Sequence, residues 1–257
     1  MTSKFVWYDL NTKQLDQAKR FYGEVFGWTT QSWKPDGAPA DMPGYEMIIV
    51  GDKAIGGFNV IPDDAPAPSH WMGHVIVDDV DAAMARATRM GAQFPMGAMD
   101  IPTVGRMGVM IDPQGCVCSL FQPAGDAPTL PAGDTHGMVG WNELIAADVD
   151  QAKTFYSEVV GWKWRGGPFQ EQMEYWLFGS GEEGGDVGGM MPKGDMPVAA
   201  WLLYFTSKDI DETVAAVAKH GGQVIQPAFE VPTVGRLAIC AGPDGSTFGV
   251  AQWASAS

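Results

Sequence analysis

Residues 7–28 read WYDLNTKQLDQAKRFYGEVFGW, and residues 141–162 read WNELIAADVDQAKTFYSEVVGW. The two strings are one element written twice: Phe21-Tyr22 recurs as Phe155-Tyr156, and Trp28 as Trp162. Further along, IPTVGR at 101–106 recurs as VPTVGR at 231–236, and the turn DPQG at 112–115 answers to GPDG at 242–245. A repeat at this period means two copies of one domain. The stretch PAGDAPTLPAGD (123–134), rich in Pro, Gly and Ala, reads as the linker. It gives domains at 1–124 and 136–257, with 125–135 between them.

Within the first copy, 5–10 is read as a strand. Leu15, Ala18, Phe21-Tyr22 and Val25-Phe26 then fall at helical spacing and stop at Gly27. Strands are expected at 45–50 and 54–60, a Pro-rich connector at 61–68, and a strand at 74–77. A helix capped by Asp81 should follow, then strands at 106–111 and 116–121 around the DPQG turn. The order β-α-β-β therefore occurs twice per copy, with another short strand expected in each module. That is an α+β chain of four modules. No glycine-rich phosphate loop follows the first strand, so a doubly wound nucleotide fold is not indicated.

The chain has 257 residues, 46% of them hydrophobic, and a net charge of −15. Each copy is long enough to bury a core. The acidity argues against nucleic acid and anionic membrane as partners, because both repel such a surface. Apolar runs are short and interrupted, so no membrane span is expected, and no cleavable leader is read at the N-terminus. The expected location is the cytoplasm. Cys116, Cys118 and Cys240 read as small core residues, not a disulfide framework.

The strings FYGEVFGW and FYSEVVGW, the glycine pair after the third strand, and the late D-P-x-G turn resemble the vicinal oxygen chelate superfamily. That superfamily includes glyoxalase I, bleomycin-resistance proteins and extradiol dioxygenases. The tandem layout is most similar to its two-domain bacterial forms. The resemblance implies two tandem glyoxalase-like domains, each made of two paired β-α-β-β-β modules that form a half-barrel around a pocket. It also implies, for catalytic members, a divalent metal held by His, Gln or Glu. By alignment the four ligand positions fall at Trp7, Gly56 or Gly57, His74 and Ser119. In the second copy they fall at Trp141, Gly188 or Gly189, Tyr204 and Gly249. His74 alone is suited to a metal, and one imidazole does not make a catalytic site. No cofactor is therefore expected. A divalent Zn, Ni, Fe or Mn ion enters only under the enzymatic alternative.

Other residues could carry chemistry. Trp7 and Asp9 share a strand face at i and i+2, as do Trp141 and Glu143. A carboxylate is kept while its length changes, so Asp9 and Glu143 are candidate bases. The competing reading pairs them with Arg106 and Arg236 of the two PTVGR loops, or keeps them by duplication alone. Those arginines are equally candidates to neutralise an anionic ligand. Glu46 and Glu174 are aligned as matching strand positions that face solvent. Trp176, Tyr175, Trp201, Met190, Met191 and Tyr204 gather in segments suited to a flat or apolar ligand, though most should be core. Loops 29–44 and 163–172 differ between the copies and would shape the pockets.

Three readings stand. The first is a metal-free protein binding a small metabolite or drug-like molecule through Trp7, His74, Arg106, Trp141, Trp176, Tyr204 and Arg236. The second is a metal-dependent lyase or dioxygenase with His74 as ligand. The third is a metal-independent isomerase or lyase with Asp9 or Glu143 as base. The partner is a small molecule, and the chain is a two-domain monomer or a homodimer.

Overall fold

The computed structural model describes residues 3–35, 44–168, 173–182 and 184–254. In the first copy the elements run β1 Phe5–Thr12, α1 Leu15–Phe26, β2 Thr29–Trp33, β3 Tyr45–Val50 and β4 Lys53–Val60, then β5 His70–Ile76, α2 Val80–Arg89, β6 Ala98–Ile101, β7 Gly105–Ile111 and β8 Val117–Pro123. In the second they run β9 Val139–Ala146, α3 Val149–Val160, β10 Lys163–Gly166, β11 Trp176–Gly179 and β12 Asp186–Pro192, then β13 Ala200–Thr206, α4 Ile210–Lys219, β14 Gln223–Val231, β15 Gly235–Ala241 and β16 Thr247–Trp253. Each copy supplies one eight-stranded sheet, in the orders β2-β3-β4-β1-β5-β8-β7-β6 and β10-β11-β12-β9-β13-β16-β15-β14. Every module opens with a strand that runs parallel to its own last strand: β1 with β4, β5 with β8, β9 with β12, β13 with β16. The chain is α+β, with four β-α-β-β-β modules.

The helices form for the reasons their sequences suggest. In α1, Ala18, Phe21, Tyr22, Val25 and Phe26 are the buried stripe, and Gly27 ends the helix at φ 70°, its N–H donating to the Gly23 carbonyl. In α3 the stripe is Val149, Ala152, Phe155, Tyr156, Val159 and Val160, closed by Gly161 at φ 77°. The expected cap of α2 is corrected: Asp79 holds that place and accepts from the Ala82 N–H, while Asp81 lies in the first turn. The strand expected at 74–77 begins earlier, at His70. Two expected loops contain strands, β2 at 29–33 and β10 at 163–166. β2 is exposed along most of its length, so no apolar alternation betrays it. The rest of those loops includes 36–43 and 169–172, outside the described residues.

Two compact units can be described separately. One comprises residues 1–7, 72–128 and 142–201. Its core has Trp162 packed on Phe178 at 4.4 Å, with Phe5, Tyr156 and Trp201 around them. The Tyr156 hydroxyl donates to Asp112 Oδ2 at 2.8 Å and receives Trp201 Nε1 at 3.2 Å. Asp112 Oδ1 accepts the N–H groups of Gln114 and Cys116, which shapes the D-P-x-G turn. Burial raises the Asp112 carboxyl above its ordinary range.

The other unit comprises 8–71, 129–141 and 202–257. Tyr22 stacks on Trp28 at 5.1 Å, and Phe26, Trp71, Phe205 and Phe248 close the cluster. The Tyr22 hydroxyl meets Ser246 Oγ at 3.0 Å and receives Trp71 Nε1 at 3.0 Å. Ser246 Oγ donates to Asp244 Oδ1 at 2.6 Å, and Thr12 Oγ1 donates to Asp244 Oδ2 at 2.7 Å. In both units a tyrosine from one copy is thus tied to the D-P-x-G-type turn of the other copy. Buried phenols and indoles need such partners.

All three cysteines are free and buried. Burial pushes the Cys240 thiol up to about 11 and the other two higher still, so none is a nucleophile near neutral pH.

The PTVGR strings carry backbone strain at one matching place. Thr103 and Thr233 have φ of 65° and 66°, a region β-branched residues avoid. Both are exposed. The left-handed conformation costs a non-glycine residue about 1–2 kcal/mol, partly offset by the chain entropy that glycine adds to the unfolded state. Thr103→Gly and Thr233→Gly are each expected to stabilise the protein by roughly 0.5–1 kcal/mol in urea unfolding. A loss of stability in both would contradict that strain.

Candidate functional site

The two candidate carboxylates sit at equivalent places in their sheets. Asp9 on β1 lies opposite Gly57 on β4, and Met47 on β3 continues the row. Side chains two residues apart share a face, so Tyr45 and Asn59 join Asp9 there. The glycine leaves a gap in the row, and the Tyr45 ring lies over it: a Cβ at Gly57 would fall 2.2 Å from the ring's Cζ. The Tyr45 hydroxyl donates to Asp9 Oδ1, and Asn59 Nδ2 donates to Oδ2 at 2.9 Å. Asp9 is buried, whereas Tyr45 and Asn59 are half-buried.

The second copy repeats the construction. Glu143 on β9 lies opposite Gly189 on β12, with Leu177 on β11 next in the row. A Cβ at Gly189 would meet the Tyr175 hydroxyl at 2.1 Å, and that hydroxyl donates to Glu143 Oε1 at 2.9 Å. Met191 stands where the first copy has Asn59. Each unit therefore carries one phenol–carboxylate pair over a glycine.

The tyrosines were not assigned this role from the sequence. The signal that finds them is their equal distance ahead of Thr103 and Thr233 in the PTVGR strings. That alignment also corrects the matching of Glu46 with Glu174: the counterpart of Glu46 is Trp176. On the helix side, Lys19 pairs with Glu46 at 2.5 Å and holds its carboxyl below the usual range. Lys153, at the equivalent place, sits 3.0 Å from the Trp176 ring centroid. Glu174 precedes β11 and accepts from Trp176 Nε1 at 3.0 Å. One Trp176 face is therefore covered by an ammonium group.

The remaining expected site residues are spread over both units. Trp7 and Trp141 are half-buried. His74 is buried opposite Ser119, and Tyr204 is buried opposite Gly249, where its ring fills the space of a Cβ. The pairing considered between the loop arginines and Asp9 or Glu143 is made with other carboxylates. Arg106 binds Asp81 through Nε and Nη2 at 3.0 Å and Asp100 through Nη1 at 2.7 Å. Arg236 binds Asp211 at 2.6 and 2.9 Å. Asp81 and Asp211 lie in the first turns of α2 and α4, so these forks tie the start of strand β7 or β15 to a helix in each copy.

The model of the Glyoxalase/Bleomycin resistance protein/Dioxygenase superfamily matches residues 4–119 and again 138–250. This chain belongs to that superfamily. It is built of two tandem glyoxalase-like domains. Among its relatives, "Putative glyoxylase CFP32" of Mycobacterium tuberculosis is 34% identical over 248 residues, covering 95% of this chain and 92% of the relative. "Anthracycline biosynthesis protein DnrV" of Streptomyces peucetius is 26% identical, covering 96% and 92%. Among solved structures, the Mn(II)-bound glyoxalase from Novosphingobium aromaticivorans superposes with a TM-score of 0.61 at 14% identity, over 98% of this chain and 83% of its own. That likeness concerns the fold.

A metal centre of the kind seen in glyoxalases calls for three or more N, O or S donors around one point. The positions aligned with such ligands hold Trp7, Gly56 or Gly57, His74 and Ser119 in one copy and Trp141, Gly188 or Gly189, Tyr204 and Gly249 in the other. Tyrosine rings take up the side-chain space at Gly57, Gly189 and Gly249. Among the described residues no group of three or more His, Cys, Asp or Glu side chains is placed to hold a metal ion. The donor set does not fit the metal. Among the same residues, no helix is long and apolar enough to cross a membrane.

Proposed function

We propose that this superfamily member is a cytoplasmic, metal-free binding protein for a small, flat organic molecule, anchored at the Asp9–Tyr45 and Glu143–Tyr175 pairs. The observation that carries the reading is that the same polar pair is built twice over a glycine while the carboxylate changes from Asp to Glu. Half-buried tyrosines beside a carboxylate offer an aromatic face and a directed polar group, the combination that orients a flat ligand. The anthracycline in the name of one relative makes a planar polycyclic compound a fitting first probe. A net charge of −15 supports a small molecule over nucleic acid as partner. The protein acts as a two-domain monomer or a homodimer.

The test is calorimetric titration of an anthracycline and simpler planar aromatics into the wild type, Asp9→Asn and Glu143→Gln. Losing a charged hydrogen-bond acceptor should weaken binding about tenfold or more at the affected pair. Unchanged affinity accompanied by a lower melting temperature in both variants would make the carboxylates structural and reject the reading.

A further inference from the structure

We infer that Tyr45 and Tyr175 are specificity-determining residues that replace a metal centre, each phenol occupying the side-chain space at Gly57 or Gly189 where the resemblance would put a metal donor, and turning its O–H to the neighbouring carboxylate. The inference rests on the binding function proposed above and says what that site excludes: molecules that bind by chelating a metal through adjacent oxygens.

Three observations converge on it. The strand register puts each carboxylate directly opposite a glycine, Asp9 with Gly57 and Glu143 with Gly189. Each glycine is needed because a ring already fills its side-chain space, with Cβ clashes of 2.1 to 2.3 Å against the phenol's own end. Any donor side chain at 57 or 189 would require the tyrosine to leave. In the other copy a second glycine leaves room for the ring, since a Cβ at Gly167 would fall 2.7 Å from Tyr175 Cδ1, and the Gly167 N–H donates to the Tyr175 carbonyl at 2.9 Å.

Chemistry completes the argument. An ionised carboxylate only accepts hydrogen bonds, and a phenol supplies one directed donor without bringing a charge. The arrangement tolerates a change of carboxylate length, Asp with Asn59 as a second donor in one copy and Glu beside Met191 in the other, while the phenol contact is kept in both. What the two copies preserve is the phenol and the glycine under it. A coordination sphere would instead have to preserve a set of donors.

Two measurements on the full chain test the replacement. In the first, Mn(II) and Ni(II) are titrated into the wild type by calorimetry, with native mass spectrometry for stoichiometry. No saturable binding tighter than millimolar is expected. One ion per domain at micromolar affinity, lost in Asp9→Asn or Glu143→Gln, would overturn the inference. In the second, double-mutant cycles join Asp9→Asn with Tyr45→Phe, and Glu143→Gln with Tyr175→Phe. The unfolding constant should show a coupling of at least about fivefold in each cycle. Additive cycles would also overturn it, since the phenol would then not be the carboxylate's working partner. Circular dichroism confirms that the conservative variants fold. A planar probe that fails to bind would count against the proposed function, whereas the ion titration and the cycles address the replacement itself.

Discussion

Asp112→Ala is expected to lower the free energy of unfolding by about 4 kcal/mol. The substitution strands the hydroxyl of fully buried Tyr156 and removes the acceptor of the Gln114 and Cys116 N–H groups. Each unsatisfied buried group costs about 1–3 kcal/mol, less where water can enter the turn. Urea unfolding followed by circular dichroism gives the value, and a cost below about 1 kcal/mol would mean that the network is not what holds this turn. The milder Asp112→Asn adds a pH dependence. Burial raises the carboxyl of the folded state above that of the unfolded chain. The folded form therefore binds its proton more tightly, and wild-type stability falls as pH rises from about 4 through the raised value. Asparagine does not titrate, so the deficit of Asp112→Asn should narrow as pH rises from about 4 through the raised value. A deficit that widens over that range would contradict the buried-carboxyl assignment.

Gly56→Ala should be comparably damaging for a different reason, while its neighbour Gly57→Ala should not. A Cβ at Gly56 would lie 1.7 Å from the backbone oxygen of Tyr8, so strand β4 has to pull away from β1 and weaken a parallel ladder. Overpacking that moves backbone costs about 1–3 kcal/mol and occasionally more, and an approach of 1.7 Å to a backbone oxygen belongs at the upper end. At Gly57 the obstacle is the far end of the Tyr45 side chain, which can rotate aside. That variant should keep most of its stability and lose probe binding. The same contrast holds for Gly188, where a Cβ would fall 2.3 Å from the Asn142 carbonyl oxygen, and Gly189, where it would meet the Tyr175 hydroxyl. Melting temperatures of the four alanine variants check it. Equal losses within each glycine pair would refute this division of roles.

Much of the fold can be read from residues because its signals are local. Helix α1 follows from Ala18, Phe21, Tyr22, Val25 and Phe26 with Gly27 behind them, and β3 runs over 45–50 as its apolar run suggests. The short strand expected in each module has no assigned place at β2 or β10, because short strands with exposed side chains carry no alternation. The candidate site was half legible. Asp9 and Glu143 stand out by the repeat, but their partners are chosen by register between strands far apart in the chain, which no periodicity encodes. The pairing of Arg106 and Arg236 with Asp9 and Glu143, one of the alternatives that the sequence leaves open for the same reason, is not made. Their partners Asp81 and Asp211 lie in the first turns of α2 and α4, a place where acids are common for reasons unrelated to the arginines.

The tyrosine-to-turn ties bear on how the two copies have been able to diverge. Tyr156 belongs to one copy and Asp112 to the other; Tyr22 belongs to the first and Ser246 to the second. A change in either copy at these places is felt by a residue inherited through the other. Neither copy drifts alone there, and a compensating change must arise at a distant codon of the sister repeat. The two turns have already parted in detail, one offering its carboxylate to the phenol and the other a serine backed by Asp244. Duplication supplied two copies, but the crossing of these bonds made them a single hereditary unit.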